Sequence, residues 1–205
     1  MNNYKTIKTD AESTLVVERS KFISHIKRAE SREQAEEFIN EIKKEYWDAR
    51  HNVYAYALKN GESRCTDDGE PSGTAGMPTL DVLLKQGYSD VVIVTTRYFG
   101  GILLGTGGLV RAYSKSAALA LEAAGSVEVC ECALYKAEVE YSLAESFERF
   151  LKDNGCVIKN KDYAQNVTLF YCIKAEENAE ISQKITNHFS ARVNPEYIKN
   201  SYEEL

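Results

Sequence analysis

The fold is most strongly constrained by a glycine-rich stretch in the middle of the chain. It reads Asp67-Asp68-Gly69-Glu70-Pro71-Ser72-Gly73-Thr74-Ala75-Gly76-Met77-Pro78 and continues, after a helix and a strand, with Arg97-Tyr98-Phe99-Gly100-Gly101-Ile102-Leu103-Leu104-Gly105-Thr106-Gly107-Gly108-Leu109-Val110-Arg111-Ala112-Tyr113. Most of the 12 glycines and two of the three prolines lie here. Glycine permits positive φ and close backbone approach, so this density predicts a shaped, ligand-facing surface.

The glycine-rich turn is flanked by two strongly patterned segments. Residues Asp90–Arg97 include the β-branched run Val91-Val92-Ile93-Val94-Thr95-Thr96, which is typical of a strand buried on both faces. A long helix is predicted from about Thr106 to Ala124, and its many small residues indicate close approach to a neighbouring element. Gly125 is a plausible residue to end that helix.

The segments before the stretch alternate between strand and helix patterns. Ser31 and Gln34 fit a capping box that opens a helix, and Val53–Leu58 is apolar on both faces, as in a central strand. The other predicted elements are strands at 13–19 and 22–27, a long loop at 60–76 and a helix from Met77-Pro78 to Gly87. Long loops without regular structure are often functional.

The last third of the chain has a different pattern of predicted strands and helices. It predicts a strand at Leu134–Tyr141, a helix capped by Ser142 and Glu145, a hairpin of Cys156–Tyr163 with Val167–Lys174, a helix around Ile181 and Ile185, and a strand at Glu196–Tyr202. This βαββαβ order is ferredoxin-like. We therefore expect an α+β protein with two domains, at residues 1–132 and 133–205.

Composition excludes several classes of protein. The net charge of −6 over 205 residues, with neither part basic, argues against nucleic-acid binding by bulk charge, although a local basic groove could exist. The start lacks the apolar core of a signal peptide, and no run is long and apolar enough to cross a bilayer, so we expect a cytoplasmic protein. The five cysteines have no zinc-site spacing, and we expect no metal or cofactor.

Two common phosphate-binding motifs do not fit the glycine-rich turn. Gly100 and Gly105 have Walker A spacing, but Thr106 stands where the lysine is required. Val110 stands where a dinucleotide fingerprint needs its third small residue. A helix N-terminus near Thr106 could still attract an anion, with Arg97 and Arg111 as a clamp, or the turn could serve packing alone.

Acidic residues precede the turn, and one histidine lies among polar neighbours. Asp67, Asp68 and Glu70 could share Mg²⁺, cap the following helix, pair with Arg97, or form a solvated loop tip. His51 could act as a general base, or one ring nitrogen could simply hydrogen-bond the backbone. Asp48 and Asn52 are its polar neighbours in the sequence.

Four groups of residues carry a resemblance to a known family. They are Ser20-Lys21-Phe22, Asp48-Ala49-Arg50-His51-Asn52, the segment 67–78, and the segment from Arg97 to Tyr113. Over about residues 15–125 they resemble the IMPACT family, bacterial YigZ branch. Residues 135–200 are similar to the smaller C-terminal domain of its bacterial members.

The resemblance implies a fold and a biological setting. The implied first domain is similar to ribosomal protein S5 domain 2, and the second to ferredoxin-like domains of elongation factor G. Eukaryotic IMPACT proteins regulate translation through an activator of an amino-acid-sensing kinase, and they carry an extra N-terminal interaction domain. Because this sequence begins almost at the IMPACT domain, the kinase-regulating role is not expected here.

These observations favour a non-enzymatic, translation-linked regulator or binding protein. Its expected partners are RNA, the ribosome or a translation factor. The alternative is an enzyme that acts on a small phosphorylated or nucleotide substrate at the glycine-rich anion site. The residues nominated for ligand binding are Asp48, His51, Asn52, Asp67, Asp68, Glu70, Arg97, Tyr98, Gly100, Gly101, Gly105, Thr106, Gly107, Gly108 and Arg111.

Overall fold

The computed structural model describes residues 3–190 and 192–204 and divides into two compact units. The first unit comprises residues 4–128, and the second comprises residue 3 with the described residues from Val129 onward. Each unit has its own buried apolar clusters. The chain is thus a two-domain α+β protein, as the sequence predicts.

The first unit contains a five-stranded antiparallel sheet and three helices. Its elements are β1 (Tyr4–Ile7), β2 (Ala11–Val17), β3 (Ser20–Arg28), α1 (Arg32–Glu45), β4 (His51–Ala57), β5 (Ser63–Thr66), α2 (Gly76–Lys85), β6 (Val91–Tyr98) and α3 (Gly105–Ala124). The strand order in the sheet is β2-β3-β6-β4-β5. Strand β6 is therefore central, between β3 and β4.

Strand β6 is apolar on both faces because helices cover both sides of the sheet. Val91 and Ile93 pack in a cluster that includes residues of α2 and α3. Val92 and Val94 point the other way and pack with residues of α1. Successive side chains of a strand alternate between faces, so a strand with two covered faces needs an uninterrupted apolar run.

The start of α1 follows the predicted capping pattern. The Ser31 hydroxyl accepts a hydrogen bond from the Gln34 N–H at 3.3 Å, while the Gln34 side chain accepts from the Glu30 N–H at 2.8 Å. Both bonds satisfy backbone donors that have no partner inside the helix. The return bond thus reaches one residue further back than in a standard capping box.

Two short strands were not predicted from the sequence. Strand β5 lies inside the segment predicted as a loop, and its Cys65 pairs with Ala55 of β4. Strand β1 contacts the turn after α2, where the Ser89 N–H donates to the Lys5 carbonyl at 2.8 Å. Both are only four residues long, so their backbone pairing, rather than a local pattern, defines them.

The second unit has the predicted ferredoxin-like order. Its elements are β7 (Ser126–Val139), which begins in the first unit, α4 (Tyr141–Asp153), β8 (Val157–Tyr163), β9 (Val167–Lys174), α5 (Asn178–Phe189) and β10 (Glu196–Glu204). These strands are arranged β10-β7-β9-β8, with every adjacent pair antiparallel. Phe147 of α4 and Ile185 of α5 are fully buried in the core with Tyr171 of β9.

The prediction that Ser142 and Glu145 form a capping box at the start of α4 was wrong. The helix begins at Tyr141, with Glu140 as its N-cap residue and no side-chain cap. The Ser142 hydroxyl donates to a Glu140 carboxylate oxygen at 3.4 Å instead of accepting from a backbone N–H. Because the helix starts two residues earlier than the pattern suggests, Ser142 lies inside the first turn.

None of the helices in the described residues combines the length and the apolar character that crossing a membrane requires.

Candidate functional site

A cavity of about 370 Å³ lies in the first unit, where β4 and α3 begin and β6 ends. Its polar side is formed by His51, Glu70, Arg97 and the start of α3. The complete lining consists of Arg50, His51, Gly69, Glu70, Pro71, Arg97, Phe99, Leu103, Leu104, Gly105, Thr106 and Leu109. Five of the nominated residues thus share one cavity, namely His51, Glu70, Arg97, Gly105 and Thr106.

Glu70 is the buried centre of a hydrogen-bond network beside this cavity. One carboxylate oxygen, Oε1, accepts from Arg97 Nη1 at 2.6 Å and from the Tyr113 hydroxyl at 2.9 Å. Burial, reinforced by the adjacent negative charge of Glu70, raises the pKa of Tyr113 well above its usual value. Tyr113 therefore stays a neutral donor, and the Glu70 carboxylate is held by a cation and a phenol.

Arg97 was expected to clamp an anion, but its guanidinium is already engaged. Nη1 binds Glu70, and Nη2 donates to the Ser20 hydroxyl at 3.3 Å. The guanidinium carbon lies 5.4 Å from the ring centroid of Phe22 and 5.7 Å from that of Phe99. Arg97 is thus a buried ion-pair partner that shapes the cavity wall, rather than a free cation beside the turn.

His51 is held by the backbone and presents its other nitrogen towards the cavity side. Nδ1 lies 2.8 Å from the carbonyl oxygen of Asp68. Because a carbonyl only accepts hydrogen bonds, Nδ1 carries the hydrogen. Nε2 lies 3.9 Å from Glu70 Oε1, beyond hydrogen-bond distance. One ring can therefore fill both nominated roles. Nδ1 makes the backbone hydrogen bond, and Nε2 stays available for proton transfer.

The start of α3 opens into the same cavity. Its N-cap residue, Leu104, supplies no side-chain hydrogen bond, and the first turn has no acidic residue. Gly107 and Gly108 continue the helix behind the cavity-lining Gly105 and Thr106. The first backbone N–H groups of a helix lack partners inside it, so this end attracts negative charge.

The three neighbouring carboxylates have separate structural roles. Asp67 accepts hydrogen bonds from the N–H groups of Gly73, Ala75 and Gly76 at 2.8, 3.0 and 2.8 Å. Asp68 accepts from the Asn52 N–H at 2.7 Å and from Lys43 Nζ at 3.1 Å, while Glu70 pairs with Arg97. No group of metal-ligating side chains was found among the described residues.

Asp67 therefore caps the segment that begins α2, and its negative charge contributes to the stability of the fold. Burial raises the pKa of Asp67, but the hydrogen bonds from Gly73, Gly76 and Ala75 outweigh burial and hold the pKa below its usual value. Replacing Asp67 with alanine should lower the free energy of unfolding by about 2 kcal/mol, the upper range for a lost cap. Urea unfolding near pH 7 measures this difference.

The pH dependence of the Asp67 effect has a defined sign. Because the native pKa is below the unfolded one, near 4, the stabilisation is complete above that pH and declines as the pH falls through the native pKa. The wild type and the alanine variant should therefore converge in stability in acid. A constant difference down to low pH would mean that the Asp67 charge does not contribute.

The remaining nominated residues lie outside the cavity lining. The Tyr98 hydroxyl donates to Asp48 at 2.8 Å, and Asn52 binds the Thr96 hydroxyl at 2.7 Å and the Tyr46 carbonyl at 3.2 Å. Gly100, Gly101 and Arg111 are also absent from the lining. Asn52 therefore connects β4 to its neighbours, and Asp48 and Tyr98 hold the adjacent loop.

Several residues of this region were missing from the nominated set. Ser20, which binds Arg97, also accepts the Gly100 N–H at 3.2 Å, so it joins two parts of the site. Arg50 lines the cavity beside His51, and Tyr113 binds Glu70. All three lie inside the segments that carry the family resemblance, which was the available signal.

Two family models match the chain, one within each of the two structural units. Residues 18–121 match the Impact N-terminal domain, and residues 138–192 match a domain of unknown function, DUF1949. The first match contains every cavity-lining residue.

Relatives with similar sequences span both units. The chain is 39% identical over 192 residues to IMPACT family member YvyE of Bacillus subtilis, covering 93% of this chain and 85% of that protein. It is 34% identical over 175 residues to YigZ of Escherichia coli, covering 83% and 86%. A similar crystal structure of a hypothetical protein has 30% identity and a TM-score of 0.62, covering 97% and 98%. The chain belongs to the IMPACT family.

Proposed function

We propose that this protein is a non-enzymatic, translation-linked binding protein that contacts single-stranded RNA through one end of the first unit's sheet. The observation that carries the proposal is a mixture of exposed aromatic and basic residues. Trp47 and Phe99 are 80% and 48% exposed. We call this region the sheet-end surface; it comprises Arg19, Lys21, Trp47, Arg50 and Phe99, with Arg111 of α3, whose guanidinium lies beside Gly107 in the first turn of that helix.

Strand pairing explains why residues distant in sequence share this surface. Lys21 of β3 is opposite Tyr98 of β6, and His51 of β4 is opposite Arg97. The Gly100 N–H donates to Ser20, which brings the turn containing Arg19 against the loop that contains Phe99. The ends of β2 and β6 and the starts of β3 and β4 therefore meet.

The basic residues of the sheet-end surface are available for a ligand. Arg19, Lys21, Arg50 and Arg111 are exposed, and no ion pair joins them to a carboxylate in the described parts of the chain. Such cations attract phosphates, while aromatic rings stack on unpaired bases with little sequence preference. With a net charge of −6, binding must depend on this local surface rather than on bulk charge.

The family supports a setting in translation. The chain is 40% identical over 93 residues to a protein named Protein IMPACT homolog in Dictyostelium discoideum, covering 42% of this chain and 26% of that protein. The resemblance to eukaryotic regulators of translation motivates the choice of ribosomal partners. All five cysteines are free thiols, as expected in a reducing compartment such as the cytoplasm.

Binding of a short single-stranded RNA should weaken steeply with salt. Four phosphate contacts predict a slope of about −3 in a plot of log K against log salt, or about a 50-fold loss of affinity between roughly 50 and 200 mM salt. Fluorescence anisotropy with a labelled RNA measures this slope. Co-sedimentation with ribosomes at the same two salt concentrations tests the translation partner.

Variants of exposed residues distinguish this surface from the rest of the protein. Arg50→Glu should lower the affinity about tenfold and reduce the salt slope by about 1. Trp47→Ala should also cost about tenfold, through lost stacking. The matched controls are Lys199→Glu and Tyr163→Ala, both at exposed positions of the second unit. Equal losses in variants and controls, or no binding at low salt, would reject the proposal.

The cavity favours a second candidate function, an enzyme acting on a small phosphorylated substrate. The supporting observation is the position of His51 Nε2, which lacks a hydrogen-bond partner among the described residues and could accept a proton. Release of inorganic phosphate from a panel of phosphomonoesters tests this function. Activity that persists in His51→Gln would exclude the histidine as the proton acceptor.

A further inference from the structure

The N-terminus of α3 is the positive end of a helix dipole, and it lines the cavity together with Arg50 and Phe99 of the sheet-end surface. The helix is 20 residues long and has neither a side-chain cap nor an acidic residue in its first turn. Gly105 and Thr106, its first two residues, line the cavity. Free N–H groups and the helix dipole therefore favour an anion at this position.

His51 gives an independent indication of a ligand. The residue is only 9% exposed, yet within the described residues its Nε2 has no hydrogen-bond partner. The nearest carboxylate oxygen, Glu70 Oε1, is 3.9 Å away and already accepts two hydrogen bonds. His51 lines the cavity, and its Nε2 is not among the fully buried unpaired atoms of the described residues, so this nitrogen can be reached from the cavity. A phosphate oxygen could act as acceptor or, when protonated, as donor to it.

The rest of the cavity suits an organic group attached to the anion. Phe99, Leu103, Leu104, Leu109 and Pro71 give the lining a large apolar part, and the exposed Arg50 adds a cation. The volume of about 370 Å³ lies within the range of small-molecule sites. An isolated inorganic ion would leave the apolar part unfilled, whereas a nucleotide has both a phosphate and a flat ring.

The burial of His51 favours binding of the end of an RNA strand in this cavity over binding of its interior. His51 is only 9% exposed, so a phosphate that reaches its Nε2 must leave solvent. An internal phosphodiester would have to bury backbone on both sides, whereas a terminal phosphate buries only one. A terminal phosphate also carries nearly two negative charges near pH 7, which strengthens its attraction to the helix end.

We infer that this cavity binds the terminal phosphate and end nucleotide of an RNA strand, so that the protein recognises RNA ends. The inference rests on the proposed RNA-binding function and specifies which part of the RNA is held. The exposed aromatic and basic residues of the sheet-end surface would then contact the nucleotides that follow. A free mononucleotide shares the same chemistry and should occupy the cavity more weakly.

The test compares one RNA sequence with a 5′-phosphate, with a 3′-phosphate and with hydroxyl groups at both ends. Anisotropy competition should show at least one phosphorylated form binding about tenfold more tightly than the hydroxyl form. Uridine monophosphate and inorganic phosphate serve as separate competitors. Uridine monophosphate should displace the phosphorylated RNA more effectively than inorganic phosphate does.

A charge placed at the helix end should remove this preference. Thr106→Asp adds a carboxylate at the second residue of α3, where aspartate suits helix stability but repels an anion. It should abolish the advantage of the phosphorylated end and leave weaker binding of the hydroxyl RNA. Ala179→Asp, at the second residue of α5, adds the same charge at the same helix position and should retain the preference.

Two outcomes would overturn the inference in distinguishable ways. Equal affinity for the three RNAs would reject end recognition while RNA binding stands. Binding of uridine monophosphate without binding of any RNA would reject both the inference and the proposed function.

Discussion

Replacing Arg97 with alanine should lower the free energy of unfolding by about 3–5 kcal/mol, because it leaves a buried carboxylate without its cation. The side chains of Arg97 and Glu70 are only 7% and 3% exposed, and the atoms Nη1 and Oε1 are 2.6 Å apart. Among the described residues, only the Tyr113 hydroxyl would continue to donate to that oxygen. Urea unfolding followed by circular dichroism measures the loss.

An exposed arginine of the same region is the matched control for this variant. Arg50→Ala removes an arginine that makes no ion pair within the described residues, and it should change stability by less than about 0.5 kcal/mol. Equal effects of the two substitutions would contradict a structural role for the Arg97–Glu70 pair. The double variant Arg97→Ala with Glu70→Ala should lose less than the sum of the single losses, since no unpaired charge remains.

Replacing Gly100 with alanine should cost about 3 kcal/mol, because the added methyl group has no space. Its Cβ would lie 2.0 Å from the carbonyl carbon of Arg19, 2.2 Å from the carbonyl oxygen and 2.3 Å from the Ser20 nitrogen. All three are backbone atoms, so no side chain can move aside. The turn before β3 would have to separate from the loop after β6, which also weakens the bond between Gly100 and Ser20.

Replacing a glycine seven residues later with alanine is expected to have the opposite effect on stability. Gly107 lies within α3, and a Cβ there would meet the flexible end of Arg111 at 3.6 Å, an ordinary van der Waals distance. Gly107→Ala should stabilise the protein by up to about 1 kcal/mol, because alanine favours the helix. Thermal unfolding of both variants measures the contrast. Similar effects of the two changes would show that the close contact at Gly100 is not what restricts that position.

Much of the fold followed from local patterns in the sequence. The apolar run before Arg97 predicted a strand covered on both faces, and Gly125 ends α3 with a positive φ of 66°, as expected for a terminating glycine. The βαββαβ order of the second unit was also predicted. These features depend on residues close together in sequence, which determine side-chain periodicity and backbone preference.

Short elements and exact helix starts did not follow from such patterns. Strand β5 exists through its pairing with β4, and four residues cannot show a distinctive period. Helix α4 begins before the serine that resembled a cap. For β5, pairing with a distant strand decided the structure, and for α4 the serine motif alone did not locate the first residue of the helix.

The sequence by itself determined the family resemblance and the segments that form the candidate site. It did not determine the roles of individual side chains, because those depend on the register of distant strands and on burial. Glu70 and Arg97 are 27 residues apart but pair in the folded protein, whereas Asp67 and Asp68, beside Glu70, bind different partners. Only the tertiary structure removed these groups from water and gave each charge its partner.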